Sequence, residues 1–279
     1  MLKALVIEDR NDETSKSFYN NVVRYTNKQN AIPDKAFVSN IDEFYRLQGE
    51  FKSRGFLLQV KPSDQNKFRT ISRNDTIELS KQANSFIQQL GTTVENLSDI
   101  SIPIEKMLQV FLAFIKDGYY AFTKKNLVLH KGKEIFDDYT SQIHKYLTID
   151  NMILLYYLYK KAENEQKKSD DKRTPIPYYV IGFLGKLIDK QTITSIDNSL
   201  GIVFGDKDVC DEAYKYLVAL SKNYRRSYEQ ADKGDYNVMI KRPIDDAIFR
   251  SAVGNANDFI KWETIAKWAI LWTAYVQYL

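Results

Sequence analysis

The chain has 279 residues, 44% hydrophobic and 13% aromatic, which supplies enough apolar material for a real core and excludes general disorder. Its 40 basic and 36 acidic residues leave a formal charge of +4, which permits a local nucleic-acid surface without arguing for one. A single cysteine, Cys210, excludes an internal disulfide and cysteine-pair zinc sites, and fits a reducing, cytoplasmic compartment.

Residues 2–7 are short, apolar and branched, which predicts a strand, and the charge that follows at once argues against a secretory signal. Residues 12–25 place Phe18, Val22 and Tyr25 at helical spacing; the amides Asn27, Gln29 and Asn30, then Pro33, end that pattern. A second helix is expected from near Asn40, with Glu43 in the capping-box relation, through Phe44, Leu47 and Phe51 to Gly55. Residues 56–60 read as one more strand. Beyond Asp75 the periodicity predicts helices over 76–90, 103–122, 133–163 with a break near 148–151, 176–190, 207–230 and 257–279. The expected fold is therefore mainly α. A small mixed α+β subregion over residues 1–70 is followed by a helical region over 71–163, a polar linker over 164–175 and a C-terminal helical region over 176–279. The apolar run 268–279 is too short to cross a bilayer of roughly 30 Å, so no membrane association is expected.

The chemistry-bearing patterns are incomplete. Residues 5–9 imitate the acidic start of a phosphoacceptor receiver domain, but the repeated alternation of strand and helix that such a fold needs does not follow. Asp34, Glu50 and Lys52 imitate the carboxylates and lysine of metal-dependent nucleases. That chemistry needs Glu50 and Lys52 on one side of a strand, whereas Phe44, Leu47 and Phe51 recur at helical spacing. His130 and His144 have no zinc-hydrolase or cysteine partner. Residues 201–207 lack the spacing of a phosphate loop and read as a turn before a helix capped by Asp206 or Asp208. No metal, cofactor or catalytic residue is assigned. Two surfaces remain. Arg225, Arg226 and Tyr228, with Tyr214, Tyr216 and Tyr224 nearby, mix aromatic rings with positive charge in a composition that stacks bases and contacts the phosphates of DNA or RNA. Trp268, Trp272 and Tyr275 lie on a broad apolar face suited to internal packing, to a partner domain or to self-association through the C-terminal helix.

Residues 25–32 (Tyr-Thr-Asn-Lys-Gln-Asn-Ala-Ile), then Phe37-Val38-Ser39-Asn40, Phe44 to Gln48, and Gly55-Phe56, resemble the abortive-infection phage-resistance (AIPR) family. A second stretch is also similar, through Leu112-Ala113-Phe114, Tyr120-Ala121, Lys125-Asn126 and Ile135-Phe136. The likeness covers about residues 5–160. It implies the C-terminal part of such a protein without the N-terminal nuclease-like region, hence a non-catalytic recognition or effector module in antiviral defence. An upstream nuclease-like domain or protein is the implied partner, and Asn27, Gln29 and Asn30 the implied polar recognition element. A nucleic-acid-binding module without chemistry and a metal-dependent nuclease are the alternatives.

Overall fold

The computed structural model describes residues 41–169, 177–188 and 190–256, together with residues 14, 16–18 and 21. The fold is mainly α, with one two-stranded parallel sheet among the described residues.

Helix α1 (Asp42–Lys52) buries Phe44, Leu47 and Phe51, the stripe its spacing predicts. It ends before Gly55, whose φ of +86° only glycine adopts cheaply; a Cβ there would sit 2.6 Å from the Ala83 amide nitrogen. Strand β1 (Leu57–Gln59) follows, and Asp64 in helix α2 (Pro62–Arg69) holds its exit by accepting from the Val60 and Lys61 amides at 3.0 and 2.7 Å. Helix α3 (Arg73–Ile87) starts at the Ser72 cap and continues as a 3₁₀ turn to Leu90. Helix α4 (Leu97–Ile100) leads into strand β2 (Ser101–Pro103), which pairs with β1 in the register Leu57↔Ser101, Leu58↔Ile102, Gln59↔Pro103. This pairing ties the region before residue 70 to the region after it.

Two expected helices are interrupted. Residues 103–122 form α5 (Ile104–Ile115) and α6 (Gly118–Thr123), broken where the Asp117 carboxylate turns back to cap α6. Residues 133–163 open with a π-helical turn (Ile135–Tyr139) and a 3₁₀ stretch (Thr140–Lys145) before α7 (Ile149–Lys168), which starts at the Thr148 cap. Helix α7 also runs through residues 164–168 of the expected linker. Helix α8 (Pro177–Leu187) is buried all round except at Lys186. Helix α9 (Ile193–Phe204) was not anticipated from periodicity, whereas α10 (Lys207–Gln230) begins at the expected Asp206 cap. Helices α11 (Tyr236–Met239) and α12 (Asp246–Ala256) complete the described chain.

Helix α8 is the axis of the bundle. It packs against α5, α6, α7 and α10, and α10 in turn carries α9 and α12. The buried side chains form one continuous cluster from Phe44 to Val253. No helix among the described residues is long and apolar enough to cross a membrane.

Candidate nucleic-acid interface

Helix α5 ends in a sharp break. Lys190 donates to the Phe114 and Ile115 carbonyls at 3.2 and 3.1 Å, satisfying two acceptors that the helix leaves open. Burial, joined by repulsion from Lys186, pushes the Lys190 pKa down to about 8. In the unfolded chain the same group holds its proton to about 10.5. Between those values the unfolded state binds the extra proton, so stability rises with pH. Lys190→Met is expected to remove that rise, worth roughly 3 kcal/mol over the window, in urea unfolding repeated at several pH values. An identical pH slope in the variant would assign the rise to another group.

Asp117 begins α6 by accepting from the Tyr119 and Tyr120 amides at 2.7 and 3.4 Å, while its second oxygen accepts from the Ile244 amide at 3.3 Å. Burial raises its carboxyl above the usual range, against the pull of those three donors. The cap aims α6 outward. Gly118 and Ala121 face the core, Tyr119 and Tyr120 are half-buried, and Phe122 is 41% exposed.

After α6 the chain folds back along itself. Thr140 donates to the Val128 carbonyl at 2.7 Å, the Gly132 amide donates to Asp137 at 3.1 Å, and Gln142 donates to the Asp137 carbonyl at 2.7 Å. These bonds hold the π-helical turn, so that Tyr139 lies under the Lys116 ammonium, 4.2 Å from its ring centre, and stacks on Tyr146 at 5.6 Å. Lys116 is raised above its ordinary value: burial opposes the charge, but Tyr139, Tyr120 and Glu134 outweigh it.

The chain that follows the exposed Phe122 ring is basic. Residues 118–133 contain Lys124, Lys125, Lys131, Lys133 and His130 and no Asp or Glu. Lys125, Lys131 and Lys133 are exposed and Lys124 half-exposed, while exposed Glu134 and Asp138 bound the patch on one side. Sequence reading missed this surface. The signal was an acid-free run of sixteen residues, hidden in a chain whose overall charge is nearly balanced.

The surface nominated on α10 does not assemble. Tyr228 is 2% exposed, and Tyr214, Tyr216 and Tyr224 are core residues too. Arg225 donates to Glu229 at 2.9 Å and lies over the Tyr236 ring; Arg226 alone of the trio is exposed. A helix with this many buried tyrosines has only its narrow outer stripe left for a ligand. Glu50 and Lys52 lie on α1 two residues apart, off a common face, and Glu50 is ion-paired with Arg46 and Arg54. His144 meets Glu43 at 3.0 Å. Among the described residues no three His, Cys, Asp or Glu side chains gather as metal ligands would. Asn27, Gln29, Asn30 and Asp34 lie outside the described residues, as do Trp268, Trp272 and Tyr275.

A second polar cluster joins α5, α7 and α8. Lys106 donates to the Tyr178 and Tyr159 hydroxyls at 2.9 and 3.3 Å, Tyr178 donates to Gln109 at 2.7 Å, and Tyr159 donates to Glu163 at 2.8 Å. Glu163 is held down to about 2; burial opposes this, but Tyr159, Lys167 and Lys160 prevail. Each donor finds an acceptor within the knot, so the cluster reads as a fastening between helices rather than a site awaiting a ligand. No family model, curated protein or solved structure matches this chain.

Proposed function

We propose that this chain is a non-catalytic recognition module of a phage-defence protein and that the partner it recognises is nucleic acid. The carrying observation is the acid-free basic segment that follows α6, in which Lys125, Lys131 and Lys133 are exposed and Lys124 half-exposed. Lysines on a fixed scaffold displace the counterions of a phosphate backbone, a source of affinity that requires no base-specific contact. The defence context rests on the likeness of residues 25–56 and 103–136 to the AIPR family. In that setting a nuclease-like partner would act on the polymer that this module holds.

The test is fluorescence anisotropy of labelled DNA and RNA across a salt series. Affinity is expected to fall linearly in log salt. The double variant Lys124→Glu/Lys125→Glu is expected to weaken binding roughly tenfold and to reduce the slope by about 2. Equal binding by the variant, or none by the parent at low salt, would remove nucleic acid as the partner. Phage protection in a bacterial host, lost in the same variant, is the expected result for the defence context.

A further inference from the structure

Resting on that reading, we infer that the bound polymer is single-stranded and that its bases stack on Phe122 and Tyr119. The two rings are three residues apart on α6 and so share one face of that helix. Phe122 is one of few large apolar side chains exposed among the described residues, at 41%. The exposed part of that ring is apolar surface that the fold leaves uncovered. Tyr119 is half-buried and braced edge-to-face by Tyr120 at 5.3 Å, so its ring is held rather than free to swing. Lys124 and Lys125 follow Phe122 after a single residue, Thr123, and Lys131 and Lys133 stand exposed in the turn that comes next in the chain.

This interleaving distinguishes single strands from duplex. In a duplex the faces of the bases are already covered by neighbouring pairs, and only phosphates and groove edges remain to be contacted. A single strand offers uncovered base faces together with its phosphates, and every base has such a face, so the platform is tolerant of sequence. DNA and RNA strands present the same two features. Helix α6, at six residues and fixed by the Asp117 cap, is too short and too firmly docked to enter a groove as a recognition helix.

The experiment compares the full chain with Phe122→Leu and Phe122→Tyr against one sequence as single-stranded DNA, single-stranded RNA and duplex DNA. Phe122 is exposed, so both variants are expected to keep the parent's helical circular dichroism and melting temperature. Single strands of either sugar should bind more tightly than duplex. Phe122→Leu should weaken single-strand binding roughly tenfold while leaving duplex binding and the log-salt slope unchanged, and Phe122→Tyr should retain the parent's affinity. Equal affinity for duplex or an unaffected Phe122→Leu variant overturns the stacking inference. Salt-dependent binding that still responds to Lys124→Glu/Lys125→Glu would meanwhile leave the proposed function standing. Absence of all binding would overturn both.

Discussion

Raising the pH above 10 is expected to unfold this protein cooperatively. Tyr156, Tyr157, Tyr159, Tyr179, Tyr214 and Tyr224 are each no more than 5% exposed, and burial pushes every one of these phenols well above its ordinary value of 10. Four of them donate hydrogen bonds that ionisation would abolish: Tyr157 to the Asp99 carbonyl, Tyr179 to the Met239 carbonyl, Tyr159 to Glu163 and Tyr214 to Glu165. A group whose pKa is raised by folding contributes stability that is complete below the unfolded value and lost as the pH climbs past it. Six such groups together give a slope of roughly 8 kcal/mol per pH unit above 10. That slope is comparable with the whole stability of a typical domain, and it outruns the gain from deprotonating Lys190. Tyrosinate absorbance and far-ultraviolet circular dichroism should therefore change together in one steep transition. Phenols that ionise gradually near pH 10 while the helices persist would mean that these rings are not buried.

The helices were legible wherever one apolar stripe met solvent on its other side. Phe44, Leu47 and Phe51 outline α1, and the acids around Asp206 mark the start of α10, because amphipathic spacing and capping are local properties. The break at Lys116–Asp117 was not legible. Apolar residues lie on both sides of it, and besides the local cap on the Tyr119 and Tyr120 amides the Asp117 carboxylate accepts from Ile244, more than a hundred residues away, a partner that local spacing cannot reveal. The pairing of β1 with β2 was hidden for the same reason, since three-residue strands have no periodicity to read. At the level of the site, the Tyr-Arg composition of α10 was visible, but which tyrosines face inward depends on α8 and α12 packing over them. The basic segment after α6 was there to be read as an acid-free run. Composition alone could not tell that the chain after α6 closes on itself through the Thr140–Val128 and Gly132–Asp137 bonds, with Lys131 and Lys133 left exposed on that turn.

Gly185→Ala is expected to cost about 3 kcal/mol or to prevent folding, although the same substitution usually strengthens a helix. Helix α8 crosses α5 at Gly185 and meets the α5–α6 junction at Gly182. A Cβ at residue 185 would overlap the Phe114 carbonyl oxygen and lie 2.9 Å from its carbon, and one at residue 182 would lie 2.8 Å from the Gly118 nitrogen. The obstacles are backbone, which cannot rotate away, so α8 itself would have to withdraw from α5, α6, α7 and α10 together. Gly49 and Gly201 supply the control. Both lie in helices, in α1 and α9, and a Cβ at either would meet nothing within 4 Å. There alanine narrows the unfolded ensemble at no steric cost, and each change should stabilise the protein by about 0.5–1 kcal/mol. Urea unfolding of the four single variants reads the contrast directly. Destabilisation at 182 and 185 with stabilisation at 49 and 201 is the expected pattern. A Gly185→Ala protein as stable as the parent would mean that α8 does not pack backbone to backbone on α5, and the position of Lys190 over the end of α5, and with it the aim of α6, would have to be redrawn.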